Sequence, residues 1–292
     1  MDLTNARIGF IGAGRICDAI IEGLTTFGNI KPEQIFVASP GQKKKAKLEN
    51  YKSSKMNVSK RPFDVFAKWA CDIIFLCFHG NVIKECLKDP DNPRAFLTNF
   101  IPRSKNRMYV LSLVSGCSVE QIKASLLNPE YPEKYQIKFH RIMINVACAY
   151  GLGLCAVDTD PDSKLSEIVR SLLSRIAKLE HVVGDQMDAA CATAGYGLAF
   201  SYHFIDALAM AATKIGLDRA MATKFAAKTA QASGQTLIES GLPPDQMKDV
   251  LIAPGGAAIE GIHALEKTEF NSAISTAIEA TFAKLQALSG GA

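Results

Sequence analysis

The sequence predicts an α/β chain in two parts, and three observations carry that prediction. Strand-like and helix-like stretches alternate from the start to about residue 183, which argues for a mostly parallel sheet covered on both faces. From Asp185 onward strand signals disappear and alanine-rich helical stretches take over. The chain also opens on an apolar strand that runs into a glycine turn and then a helix, residues 7–20, RIGFIGAGRICDAI. The predicted division is 1-183, an N-terminal Rossmann-like dinucleotide-binding domain, followed by 184-292, an all-α dimerisation domain.

Taken in order, Ile8, Phe10 and Ile11 supply the first strand, and Ile16, Ala19 and Ile20 begin the helix after the turn. Residues 34–39 read as a second strand and 41–51 as a charged helix. Residues 71–78 form a continuous apolar run, the mark of a strand buried on both faces, with a helix after it over 80–88. Another buried strand covers 108–114, and Ser118 opens a helix with capping-box spacing to Gln121. Shorter strands are expected at 138–143 and 153–157, an amphipathic helix at 162–179, and a short closing strand at 181–183. The polar, proline-bearing stretches 90–107 and 128–134 read as loops. In the second part, 197–215, 220–241 and 270–288 read as long helices, and 253–259, APGGAAI, as a glycine turn into a helix start.

Composition narrows the function classes. With 48% hydrophobic and 21% charged residues, the 292-residue chain has the balance of an ordinary globular protein with a sizeable core. A net charge of +4 with no basic stripe interleaved with aromatics argues against a nucleic-acid partner. The eight cysteines are scattered without CxxC spacing, so buried reduced thiols are expected and a metal site is not. No run reaches membrane-span length and MDLTNAR has no apolar signal core, so a cytoplasmic protein without a membrane partner is expected. The weakly charged helical block reads as burying one face against a second copy of the chain, with a self-contained bundle as the alternative.

The glycine turn is the sharpest local signal. In a dinucleotide fold the first glycine, Gly12, permits the tight turn, and Gly14 lets a pyrophosphate approach the backbone. Ala13 lies between them, and Arg15 and Ile16 begin the helix whose free N–H groups face that anion. Cys17 takes the third, small-residue position, where glycine or alanine is usual.

These residues, with the blocks that follow, resemble the pyrroline-5-carboxylate reductase family over nearly the whole length. The opening strand and GAG turn are matched by residues 8–14, the buried strand before a cofactor-contacting loop by 72–77, and a serine- and glycine-bearing strand end by Val114, Ser115 and Gly116. An R-x-M-P-N-T-P segment is matched in part by Arg141, Met143 and Asn145. The helical half is nearest: IDALA at 205–209, KIGL at 214–217, Arg219, ESG at 239–241, Pro244, Lys248-Asp249, PGG at 254–256, Gly261 and ALE at 264–266.

The resemblance implies a helical domain that intertwines with a partner, as a homodimer or higher homo-oligomer. It also implies reduction of a small-molecule substrate, 1-pyrroline-5-carboxylate, to proline, by hydride transfer to the C=N carbon. It places cofactor contacts at Cys77, Phe78, His79, Ser115 and Gly116, beside Gly12, Ala13, Gly14, Arg15 and Ile16. Ser39 ends the second strand where an acidic residue would bond the ribose of NAD, and Gln42 and Lys43 to Lys45 follow, so NADP (NADPH) is favoured with NAD left open. Substrate contacts are implied at Asn145, Gly195, Tyr196, Gly255, Gly256, Ala257 and Ala258. The family's S-G-S-G-P-A-Y stands here as AGYGLAF, so Ala194 and Tyr196 replace serines. The threonine that in the family bonds near the imine nitrogen is Ala258. Tyr196 offers a hydroxyl from another direction, and His263 or His203 a proton, which leaves Ala258, Tyr196 and His263 as the catalytic positions to examine. Two other readings stay open: a reductase of another small cyclic imine, and a weakly active or inactive NADP-binding homologue.

Overall fold

Eight strands form one sheet in the order β3-β2-β1-β4-β5-β6-β7-β8 in the computed structural model, which describes residues 3–40, 45–78, 107–127, 136–158 and 165–289. The strands are β1 (Ile8–Ile11), β2 (Ile35–Ala38), β3 (Asn57–Ser59), β4 (Ile73–Leu76), β5 (Arg107–Ser112), β6 (Gln136–Ile144), β7 (Gly153–Asp158) and β8 (Ala177–Val182). Pairing is parallel from β3 through β6, antiparallel between β6 and β7, and parallel again between β7 and β8. In this register Gly9 of β1 stands opposite Phe36 of β2 on one side and Ile74 of β4 on the other. The chain order reverses at β1, between β2 and β4, and ligands of such sheets lie in the crevice beyond the carboxyl ends at that point.

The continuous apolar strands follow from burial on both faces. On one face Phe10, Ile35, Val37, Ile73, Phe75 and Leu111 meet Cys17, Ile20 and Leu24 of helix α1 (Arg15–Thr26). On the other, Ile11, Ile74, Leu76, Met108 and Val110 pack with Phe63, Val65 and Ile122. Phe10 and Phe75 stack in the middle, with centroids 4.9 Å apart. Leu24 is fully buried, and truncating it to alanine would cost about 3 kcal/mol. α1 also lies close against the turn 146–150: a Cβ on Gly23 would stand 2.2 Å from the Cys148 carbonyl oxygen.

Among the described residues of this part the remaining α-helices are α2 (Lys45–Ser53), α3 (Val119–Leu126), α4 (Glu167–Leu173) and α5 (Met187–Ala190). Ser118 caps α3 with the expected reciprocal bonds to Gln121, and Ser166 caps α4. Two details differ from the sequence reading. The helix expected over 162–179 spans only Glu167–Leu173 among the described residues, because 177–182 pair with β7 as an edge strand. β3 was not expected: three residues with two polar side chains give too short a pattern to read. The helix expected at 80–88 and most of the two loops lie outside the described residues.

By packing, the chain divides into two units. One comprises Met1–Gly195 with Phe282–Ala292, and the other Tyr196–Thr281; the sequence reading puts the boundary at 183/184. In the second unit α6 (Gly197–Lys214) and α7 (Arg219–Ser240) pack through Ala209, Ala222 and Ala226, with Ile205, Ala212 and Leu217 around them. Asp218 caps α7 by accepting from the Met221 N–H at 3.0 Å, and Arg219 donates to Asp206 at 2.5 Å. α8 (Pro244–Asp249), α9 (Ala257–Lys267) and the part of α10 (Phe270–Ser289) up to Thr281 follow, and Phe270 leans on Phe204 at 6.2 Å. Among the described residues of this unit only those three alanines are buried, while Tyr202, Phe204, Phe225, Ile238 and Leu251 are exposed.

Candidate functional site

The glycine turn sits beyond the carboxyl end of β1, tied into the sheet by Gly12 donating to the Ala38 carbonyl at 2.8 Å. Gly12 has φ of 103°, and a Cβ there would stand 2.3 Å from the Cys77 carbonyl oxygen at the end of β4. Only glycine fits both the conformation and the space. Gly14 is the N-cap of α1 and, lacking a side chain, satisfies none of the first N–H groups. Those donors and the positive end of the helix point at the crevice, which is an anion-binding arrangement.

The other strand ends complete the cradle within this unit. Ser39, buried just after β2, donates its N–H to the Ser59 carbonyl at 3.1 Å, and it stands where the sequence has no carboxylate. Cys77 and Phe78 follow β4, and Ser115 and Gly116 follow β5, with Gly116 at φ of 76°. Arg15 is exposed, Ile16 is half-buried and Ala13 is buried beneath the turn. Gln42, Lys43 and His79 lie outside the described residues.

A cluster that the sequence reading missed braces the turn. Asp18, in the first turn of α1, accepts from Lys47 Nζ and from the Tyr51 hydroxyl, and Lys47 also reaches the Gly14 carbonyl at 3.4 Å. A carboxylate so near the helix start would repel an anion, and Lys47 cancels that charge. Burial, and then the neighbouring Cys17 and Asp18 side chains, push the Tyr51 hydroxyl well above its ordinary range, so it stays a donor. A hydrogen bond to Cys17, and then burial, push the Cys77 thiol up too, so it stays protonated beneath the turn. Lys47 and Tyr51 stand four apart on one helix face, which was the available signal.

At the end of β6 a second cluster forms. Arg141 pairs with Asp188 of α5, both largely buried. Asn145 donates to the Ala194 carbonyl at 3.1 Å and accepts from the Leu154 N–H at 3.2 Å. Its amide therefore ties β7 to the π-helical turn Cys191–Tyr196; such turns recur at functional positions. Gly195 of that turn lies over Met143, where a Cβ would sit 3.6 Å from the sulfur. Burial pushes the Cys191 thiol up to about 11.

In the second unit the turn 253–256 repeats the device. Gly255 has φ of 73°, and Gly256 caps α9 with no side-chain bond, leaving the N–H groups of Ala257 and Ala258 free of one. Ala257 and Ala258 are exposed, and neither brings a hydroxyl. His263 follows Ala258 by five residues, about 500° of helix, so its side chain leaves α9 roughly 140° round from Ala258. The structure thus does not bring His263 to the face that Ala258 occupies. His263 and His203 are both exposed, and Tyr196 is 47% exposed. Among the described residues no three histidine, cysteine or carboxylate side chains gather as for a metal, and no helix is long and apolar enough to cross a membrane.

Comparison with known proteins agrees with both halves. Residues 184–288 match the family described as pyrroline-5-carboxylate reductase dimerisation, and residues 7–96 match the family described as NADP oxidoreductase, coenzyme F420-dependent. The chain is 28% identical over 282 residues to pyrroline-5-carboxylate reductase 3 of Danio rerio, covering 96% of this chain and 90% of that one. It is 27% identical over 288 residues to pyrroline-5-carboxylate reductase of Escherichia coli strain K12, covering 97% and 98%. The crystal structure of Plasmodium falciparum pyrroline carboxylate reductase with NADP bound superposes with a TM-score of 0.77 at 22% identity, over 99% of this chain and all of that one, and shows the shared fold.

Proposed function

Since the chain belongs to the pyrroline-5-carboxylate reductase family and is an oxidoreductase with a nicotinamide dinucleotide cradle, we propose that it reduces 1-pyrroline-5-carboxylate to proline with NADPH. The observation that carries this reading is the crowded Gly12 turn at the strand-order reversal, opening onto a helix start with no side-chain cap. The residues present fit a dinucleotide pyrophosphate, since a Cβ would fill the space at Gly12 and Lys47 cancels the nearest carboxylate. The nicotinamide, when bound, supplies the hydride to the C=N carbon.

The chain's own contribution is position and charge. Under this proposal the N–H groups of Arg15 and Ile16 hold the pyrophosphate, and Ser115 and Gly116 line the nicotinamide side. Ser39, with Gln42 and Lys43, meets the adenosine ribose; the missing carboxylate after β2 favours the 2′-phosphate of NADPH over the free hydroxyl of NADH. The N–H groups of Ala257 and Ala258 take the substrate carboxylate, and the hydroxyl of Tyr196 stands in for the side-chain donors lost at Ala194 and Ala258. His263, round the helix from Ala258, is given no proton-transfer role. The exposed apolar side chains of the helical unit, together with the match to a dimerisation family, support a homodimer through that unit.

A second reading, reduction of another small cyclic imine, is favoured by one observation. Asn145 is held by the Ala194 carbonyl and the Leu154 N–H, and Ala194 and Ala258 bring no hydroxyl, so the matched positions offer fewer polar side chains than the family pattern does. Supplying pyrroline-5-carboxylate and NADPH to the purified protein separates the two. The first reading expects one proline formed per NADPH oxidised. Tight NADPH binding with no proline formed would transfer the assignment to the second.

A further inference from the structure

A cavity of about 580 Å³ opens at the amino ends of the strands, at the other end of the sheet from the glycine turn. Its wall comes from the residues that precede each strand: Arg7 ahead of β1, Lys31 and Glu33 ahead of β2, Lys55 ahead of β3, and Trp69 ahead of β4. Arg7 is held in place, its Nη1 donating to the Trp69 carbonyl at 2.8 Å and its N–H to Asp72 Oδ2 at 2.8 Å. Lys31 and Lys55 have no ion-pair partner among the described residues. The half-buried Trp69 ring is steadied by Phe36, with centroids 5.2 Å apart.

Three lining cations face one lining carboxylate, Glu33, while Asp72, outside the lining, is engaged by the Arg7 backbone N–H; that balance favours an anion, and a guanidinium fixed by a backbone carbonyl keeps its remaining N–H donors for oxygen acceptors. A steadied indole beside them offers a face for a planar ring. The volume is that of a small-molecule pocket. We propose that this cavity is a second ligand site, separate from the dinucleotide cradle. It takes a ring-bearing phosphate of mononucleotide size, with the phosphate on Arg7, Lys31 and Lys55 and the ring on Trp69. Adenosine monophosphate is a suitable probe.

Trp69 is the only tryptophan in the chain, so tryptophan fluorescence reports on this cavity. The full-length protein, with NADP⁺ added in excess to fill the cradle, is titrated with adenosine monophosphate, and equilibrium dialysis counts the nucleotide bound. The proposal expects saturable quenching with one nucleotide bound per chain. The double variant Lys31→Glu/Lys55→Glu should weaken that binding by roughly tenfold or more, with an unchanged melting temperature because both lysines are exposed. No nucleotide retained in dialysis overturns it, as does equal affinity in the double variant. Inorganic phosphate or adenosine binding as tightly as the nucleotide would also overturn it, because the site would then read only half of the ligand.

Discussion

Two glycine turns in this chain open onto helix starts with no side-chain cap, and they differ in what surrounds them. At 12–14 the turn is crowded: the Cys77 carbonyl fills the space above Gly12, and Lys47 and Tyr51 brace the first turn of the helix through Asp18. At 254–256 a Cβ on Gly255 would meet nothing within 4 Å, and the helix that follows has no buried residue. The first turn belongs to a unit with a core on both faces of its sheet, and the second to a unit whose described core is three alanines. The same local chemistry is thus finished within one copy of the chain in the first case. In the second the described surroundings stay open, and under the proposed homodimer a partner copy would close them.

The largest effect that sharpens this contrast is expected at Gly12. Gly12→Ala meets both a positive φ and a backbone oxygen, and should cost about 3–5 kcal/mol together with NADPH binding. A melting temperature and NADPH affinity close to wild type would break the comparison at its stronger end.

Acid comes next, and it acts on the first unit. His140 of β6 is 2% exposed, with no partner for either ring nitrogen among the described residues. Burial, and then Lys138, push it down from 6.5 to about 4. The fold therefore holds it neutral while the unfolded chain protonates it near 6.5. Its contribution is complete above that pH and lost as pH falls toward 4, amounting to about 3 kcal/mol. Urea unfolding at pH 7, 5.5 and 4.5 should show the loss, and His140→Leu should flatten it. Equal slopes in both proteins would count against the assignment.

Asp188→Asn leaves the Arg141 guanidinium largely buried without its countercharge, at about 2 kcal/mol. Thermal melting checks it, and an unchanged midpoint would mean that the pair is solvated. Ala258→Thr returns a side-chain donor to the second turn and should raise kcat/KM on pyrroline-5-carboxylate by about tenfold; lower activity would mean that the pocket is built for another ring. Gly255→Ala, with only its φ to offend, should cost about 1 kcal/mol of stability, the smallest effect and the counterpart of Gly12→Ala.

Much of the frame was legible because burial on both faces writes itself into sequence as unbroken apolar runs, as at Ile73–Leu76 and Ile8–Ile11. The edges were harder. Apolar spacing continues through Ile176 and Leu179, so the helix reads past its end, whereas pairing with β7 draws 177–182 into the sheet. The glycine turns were legible as turns, but their surroundings were not: nothing near Gly12 in sequence announces the Cys77 carbonyl. Arg141 and Asp188 stand 47 residues apart and carry no periodic signal. Asn145 was read as a substrate contact; its bonds to Ala194 and Leu154 join residues 49 and 9 positions away and carry no periodic signal either. His263 shows the limit of proximity in sequence, since helix geometry carries it away from the Ala258 face.

The most direct test of the contrast is dilution. Sedimentation, NADPH binding and proline formation would be followed on one sample from high to low protein concentration. NADPH bound per chain should hold constant, because the first cradle is built within one copy. Turnover per chain should fall in step with dissociation of the dimer. Full turnover in a sample that sediments as monomer would contradict the account.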